Sequence, residues 1–590
     1  MESFQPSGAS THRPLQDSEI RVVTLHPASW YDPVSCTLDH VVLDGPRDDY
    51  IAISYTWGDP TQTKDIELNG HSYPVTTNLH LALRYLRNKD KPRRLWIDSL
   101  CIDQRDVAER SAQIPRMRDV YAFAAEVHIW LGDYGSTPNR YTLQYTFDRC
   151  IADAAKDKKT FHGPKSDSVI NTLLKRPWFQ RMWVIQEVAV RNWKEDGEKV
   201  TFLVGHSSLT WSILGWACRD MVHLQSNPKQ LVPGRNYETN GFLQIRTAWE
   251  AQHRVRESPI EGVSYTMSQQ LGYLLSRFVN FKVTDPRDRI YSLLGLLYGP
   301  GEVPDDLAPD YSKPVDEVFH AYAAWMLRSG ACIDILSLNS RQRVGRRCPS
   351  WVPDFRGEEH EIWQNLVSNP VKILHHDRVL EIDTLAIGTV HTAGKRCDIL
   401  AKSKTKSDTC RQYFLDCEVW IHDHAADLID DSPRKKLGDY CEKSYQAFPS
   451  GHRMFYGKVY DTMVRDPEPG GLGMNKKMRR NLPYTRAFAD FIASQFDGFA
   501  PFICGNGKLE FCDSKVDVPE PGDVLCLLRG SSKQYILRRA PPDSLGKWIM
   551  VGTTYNAAFR RGKRSEEEVN IAYTELWTKN ADKIFKALIC

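Results

Sequence analysis

The chain of 590 residues has no apolar stretch near the 18 or more residues needed to cross a bilayer, and its amino terminus, MESFQPSGASTHRPLQDSE, lacks the apolar core of a secretory signal. A soluble, cytoplasmic protein without a transmembrane segment is the expectation. It also lacks a G-x-G-x-x-G fingerprint and a G-x-x-x-x-G-K-[ST] loop, so a dinucleotide Rossmann site or a P-loop has little support; GNGK at 505–508 has neither the upstream glycine spacing nor a following Ser or Thr. H-E-x-x-H and G-x-S-x-G are missing too. The 14 cysteines contain no C-x-x-C pair, and Cys101, Cys150 and Cys218 lie tens of residues apart. That scatter predicts small buried thiols in a reducing compartment, with no metal centre and no disulfide framework. A formal charge of only +3 gives no global drive toward nucleic acid or an acidic membrane, and no nucleic-acid partner is expected.

What the chain does have is a globular balance, with 41% hydrophobic and 26% charged residues over a length that suits two or three domains. The most informative stretch is 95–132, in which two short apolar runs enclose a polar turn and a helical rhythm. Leu95 to Asp98 reads as a buried strand ending in an acid, and Val127 to Leu131 as a second strand closed by Gly132-Asp133. Between them Ile114, Met117, Val120 or Tyr121, and Ala124 define one helix face, with Pro115 in its first turn. Strand, helix, strand favours parallel pairing in a layered α/β domain. Upstream, 51–55 is another hydrophobic strand, Asn69-Gly70 signals a hairpin, and Asn78 is a candidate cap for a helix burying Leu79, Ala82, Leu83 and Leu86.

Asp98 ends a buried strand, where a carboxylate must either cap local structure or face a cleft. Arg110, Arg116 and Arg181 are candidate partners for it, and the same guanidinium groups suit nucleotide phosphate. After Pro177, which biases residue 176 away from helix, a helical rhythm puts Glu187 one turn beyond Trp183, a carboxylate beside a flat aromatic surface. His128 and His206 read as structural histidines.

SYTWGD at 54–59, LWIDSLCIDQ at 95–104 followed by Glu109, Arg110 and Gln113, VYAFAAEVHIWLG at 120–132, RPWFQRMWVIQE at 176–187 and DPRDRIYSLLGL at 285–296 resemble the ordered motifs of the fungal heterokaryon incompatibility, or HET, domain. The resemblance covers about half the chain, 48–300. It implies a signalling protein of non-self recognition and programmed cell death, a form of innate immunity. It also implies a fold like the TIR domain, some branches of which cleave NAD. WVIQE, 183–187, is similar to the TIR helix segment whose last Glu is catalytic, which makes Glu187 the candidate catalytic residue. Tyr55, Trp57, Asp98, Arg181 and Trp183 become the candidate NAD-binding residues. No metal and no cofactor would be required, NAD being the substrate, because nicotinamide already carries a positive charge and leaves readily. Implied partners are other HET-domain or incompatibility proteins, with activation-dependent self-association. The competing reading is a non-enzymatic interaction or death-signalling module with Glu187 in a packing ion pair.

The expected architecture is α/β, TIR-like, a mainly parallel sheet flanked by helices, with helical extensions and a β-rich carboxyl-terminal module, α+β overall. In residues, 1–47 form a lead-in with strands, 48–220 the HET core, 221–360 a helical extension, 361–499 a mixed second region and 500–590 the β-rich module. Inside these, Val318 or Phe319, Tyr322, and Trp325 or Met326 predict a helix face, and 486–499 an amphipathic helix after basic 476–480.

Overall fold

The computed structural model describes residues 12–16, 18–46, 49–134, 144–145, 148–149, 170, 172–190, 199–215, 218, 266–278, 281–297, 303–331, 333–338, 348–356, 371–374, 378–396, 406–428, 435, 437, 499–513, 518–531, 533–544, 546–557 and 566–590. The basic run at 476–480 and the amphipathic stretch after it lie outside them, save its last residue, Phe499, which begins a strand. The chain divides into two compact units, one of Met1–Met267 with Asn280–Lys313, the other of Ser268–Val279 with Pro314–Cys590.

In the first unit, β1 (Glu19–Leu25), β2 (Ser35–Val42), β3 (Ile51–Tyr55), β4 (Thr63–Leu68), β5 (His71–Thr76), β6 (Arg93–Trp96), β7 (Glu126–Trp130), β8 (Val200–Val204) and β9 (Ser207–Thr210) form one sheet. Its order is β5-β4-β2-β1-β6-β3-β7-β8-β9. The three runs predicted to share a sheet are neighbours in it, with Ile51 opposite Leu95 and Tyr55 opposite Trp130. The sheet is mixed, however, and the expected parallel character is confined to β6-β3-β7-β8 and to β2 beside β4. Short connections set the difference: Asn69-Gly70 joins β4 to β5, both residues at positive φ, and Gly205-His206 joins β8 to β9, and turns this tight permit only antiparallel pairing.

Helix α1 (Thr77–Leu86) buries the four predicted residues, but Thr76 caps it, accepting from the Leu79 N–H. Asn78 is used elsewhere, donating to the Thr56 carbonyl and accepting from the Trp130 indole at 3.1 Å. The strand expected to reach Asp98 stops at Trp96, and Asp98 opens a one-turn helix, α2 (Asp98–Cys101). The helix expected over Ile114 to Ala124 with Pro115 in its first turn starts later, as α4 (Met117–Phe123), and a separate helix, α3 (Val107–Gln113), precedes it; Pro115 brings no N–H to continue one helix through the junction. The apolar face survives the break: Ile114, Met117, Val120, Tyr121 and Ala124 are all buried. Pro177–Gln180 is a 3-10 turn entered from an extended Arg176, and α5 (Val184–Ala189) follows after an extended Arg181. Another helix of this unit, α7 (Asp288–Leu294), packs against α5.

The second unit contains α6 (Met267–Arg277) from its Ser268 onward, α8 (Val315–Arg328), β10 (Lys372–Leu374), β11 (Val379–Ala393), α9 (Lys406–Ala425), β12 (Phe499–Cys504), β13 (Leu509–Asp513), β14 (Val524–Leu528), β15 (Lys533–Arg539), β16 (Trp548–Ala557), α10 (Glu566–Lys579) and β17 (Ile584–Ile589). Val318, Phe319, Tyr322 and Met326 are buried along α8. The carboxyl-terminal part is β-rich as expected, and its pairings run β11-β12-β13-β16-β15-β14 and back to β11, so the strands close on themselves. Register shifts at Ala386/Gly388 and Val390/Thr392 bend the long strand β11, which lets it serve β17, β14 and β12 in turn. Val390, Phe502, Cys504, Cys512, Leu525, Ile536 and Val551 fill the interior.

Among the described residues no helix is long and apolar enough to cross a membrane, no group of acidic, His and Cys side chains is arranged for a metal, and the cysteines are free thiols, most of them buried. Gly507 sits at the β12–β13 turn with φ +75°, and a Cβ there would lie 2.0 Å from the Leu428 carbonyl oxygen. Backbone strain and a clash with main chain therefore act together. Gly507→Ala should lower stability by about 2 kcal/mol or more, read as a lower urea midpoint at unchanged slope.

Candidate functional site

The parallel strands fix where a site can form. After β3 the chain forms β4, β5 and α1, enters β6 on one side of β3, and then returns past β3 to β7 on the other. Open α/β sheets gather ligands beyond the carboxyl ends of strands around such a reversal. Ser54 and Tyr55 close β3, Trp57 follows two residues on, and Asp98 and Ser99 open α2 just past β6. Arg181 and Glu187 arrive from the 3-10 turn and α5.

The contacts join these residues into one polar cluster. The Trp57 indole, 38% exposed, donates to Asp98 Oδ2 at 2.8 Å. Asp98 Oδ1 accepts the Ser99 N–H at 2.7 Å, and the Gln104 amide donates to the Asp98 carbonyl at 3.0 Å. The Tyr55 and Ser99 hydroxyls are 2.7 Å apart, and Arg181 Nη1 donates to the Tyr55 carbonyl. Glu187 is only 2% exposed and accepts from the Ser54 hydroxyl, which in turn accepts from the Trp178 indole at 2.6 Å.

The electrostatics follow from crowding two acids around one guanidinium. Burial pushes the Glu187 carboxyl up to about 7; Arg181 and the Ser54 hydrogen bond pull it down, and Asp98 pushes it further up. Asp98 keeps some solvent access, yet the close packing around its carboxylate raises its pKa as well, against the pull of Arg181 and the Trp57 N–H. Burial likewise holds the Tyr55 phenol far above its ordinary range, with Asp98 adding to the shift. Asp98 is therefore the carboxylate with solvent access, and Glu187 the buried one.

Five of the six residues picked from sequence thus meet: Tyr55, Trp57, Asp98, Arg181 and Glu187. Trp183 does not join them through its indole, which donates to Asp288. The aromatic residue wired to Glu187 is Trp178, because the helical rhythm assumed through 178–187 is interrupted by the 3-10 turn and the extended Arg181. Of the proposed partners for Asp98 only Arg181 bears on it. Arg116 donates to the carbonyls of Ser18 and Glu19, and Arg110 stacks over Tyr311 with its guanidinium carbon 4.3 Å from the ring centre. Tyr311 also donates to Asp288 at 2.5 Å, and burial raises that acid to about 6. His128 pairs with Glu126, and His206 packs on Trp30 and Tyr85.

Ser54, Ser99 and Trp178 were not singled out from sequence. One local signal pointed to Ser54, a hydroxyl within an otherwise hydrophobic strand, where it needs a buried partner.

Residues 50–187 match the family described as Heterokaryon incompatibility protein (HET), a span that contains every residue of the cluster. The chain is similar to Heterokaryon incompatibility protein 6, OR allele, of Neurospora crassa, at 27% identity over 94% of this chain and 94% of that protein. No solved structure matches the chain.

Proposed function

We propose that this chain, whose residues 50–187 match the HET family and which is distantly similar to a fungal incompatibility protein, is a cytoplasmic signalling protein of non-self recognition and programmed cell death that acts by cleaving NAD. The observation that carries the enzymatic part is the cluster at the carboxyl ends of β3 and β6. There Arg181 bears electrostatically on two carboxylates, Asp98 and Glu187, and a partly exposed indole donates to Asp98. As the bond between nicotinamide and ribose lengthens, positive charge grows on the ribose carbon, and a fixed carboxylate stabilises it. Trp57 offers a flat face to the base or ribose, Asp98 reaches the ribose hydroxyls, and Glu187 supplies negative charge from behind. Nicotinamide leaves with the bonding electron pair; water adds at the ribose carbon and releases one proton. Self-association or another HET-domain protein would bring the domain to its active arrangement.

The test is nicotinamide release by the purified full chain at high concentration, with Asp98→Asn beside it. Release that falls at least tenfold in a folded Asp98→Asn protein supports the reading. One observation favours a non-enzymatic interaction module instead: the burial of Glu187 beneath Ser54. No release from a folded, self-associated wild-type chain would leave that module as the function.

A further inference from the structure

The hydrogen-bond chain behind Glu187 has a direction. An indole N–H can only donate, so the lone-pair side of the Ser54 hydroxyl is taken by Trp178 at 2.6 Å. The serine has one hydrogen, and its other neighbour is Glu187 Oε2. An ionised carboxylate can only accept, so with Glu187 charged that hydrogen points at it and Oε2 accepts. We infer that Trp178 and Ser54 are positioning residues for Glu187, a one-way relay that occupies Oε2 and leaves Oε1 as the oxygen available for a proton or for a ligand's developing charge. The inference rests on the proposed role of Glu187 in catalysis, but the relay itself is testable without any turnover.

The surroundings make the relay consequential. Trp178 is fully buried against Phe179 and Phe202, so its ring has little freedom to turn away. Ser54 lies in the middle of the paired sheet, opposite Ile129, which fixes its backbone. The groups that bear electrostatically on Glu187 are Arg181 before α5, Asp98 on α2 and the Tyr121 phenol on α4. From α7 the nearby acid is Asp288, which is engaged by Trp183 and Tyr311. Arg181 donates to the Tyr55 carbonyl, and Ser54 donates directly to the Glu187 side chain. A donor to the charged form lowers a carboxyl pKa. Removing it should move the titration upward.

The experiment is an infrared pH titration of the carboxyl C=O band of the full-length protein. The band is assigned to Glu187 by its disappearance in Glu187→Gln. Ser54→Ala should raise the midpoint by about one pH unit; Ser54→Thr, which keeps the hydroxyl, should restore it; Trp178→Phe should raise it by less. Where Ser54→Ala does not fold, Ser54→Cys supplies the same comparison with a weak donor. A folded Ser54→Ala protein with an unmoved midpoint overturns the relay, whether or not the wild type cleaves NAD. If wild type releases nicotinamide, the acid limb of its pH profile should move with the same midpoint, because the charged carboxylate is the active form. If it releases none while the band shifts as expected, the relay stands and the enzymatic reading fails.

Discussion

Glu187→Gln is expected to reduce nicotinamide release about a hundred- to several-thousand-fold, the loss of roughly 3 to 5 kcal/mol of charge stabilisation in the transition state. The same substitution should make the protein more stable at alkaline pH. Burial holds the folded pKa of Glu187 at about 7 against an ordinary value of 4.5. An acid raised in this way binds its proton more tightly when folded, so its contribution is full below pH 4.5 and is lost as pH rises through 7. Above that, keeping an ionised carboxylate inside costs up to about 3 kcal/mol. Glutamine has nearly the same volume, still accepts from Ser54, and carries no charge. Thermal unfolding should therefore show the variant above wild type at pH 8, with the gap closing toward pH 5. A variant less stable than wild type at pH 8 would mean instead that the charge is held by a structural ion pair. Loss of activity together with gain of stability is the signature of a residue kept for chemistry.

A loss in stability of similar size is expected from Glu109→Ala. Arg21 lies on β1, only 1% exposed, with its guanidinium bound to both Glu109 oxygens at 2.6 and 3.0 Å and to the carbonyls of Cys101 and Arg13. Glu109 also accepts the Asp103 N–H at 2.8 Å, so the pair ties β1 to the loop that follows Asp98. Removing the carboxylate strands a buried cation and should cost about 3 to 5 kcal/mol in urea unfolding, whereas Arg21→Met with Glu109→Leu, which removes both charges, should recover most of it. A loss below about 1 kcal/mol in the single variant would show that water already screens the pair.

The local parts of the fold were legible because each rests on neighbours in sequence. The apolar runs at 51–55 and 127–131, the Asn69-Gly70 turn and the buried stripe of α1 need no distant partner to be recognised. The mixed character of the sheet was not legible, since β1 pairs with β6 across some seventy residues and nothing in either strand names the other's direction. The site divides the same way. Asp98, Trp57 and Glu187 stood out by type and position, and they are brought together. The Trp178–Ser54–Glu187 chain spans more than a hundred residues, and it turns on a 3-10 turn where helical periodicity was extended one step too far. A break of one turn was enough to exchange Trp178 for Trp183.

The placement of β17 sets a timetable for synthesis. Its residues pair with Leu380 to Leu385 of β11, and the Cys590 carbonyl accepts from the Ser350 N–H. A ribosome that has made β11 has therefore left one edge of that strand without its neighbour, and some two hundred residues must be translated before the neighbour emerges. Through that interval Leu380, Ile382 and Leu385 wait with an unpaired backbone edge, where a chaperone or a second nascent chain can reach them. A stop codon a few residues before Ile589 would make the waiting state permanent, and such a protein should be cleared or aggregate although nearly its whole sequence is present.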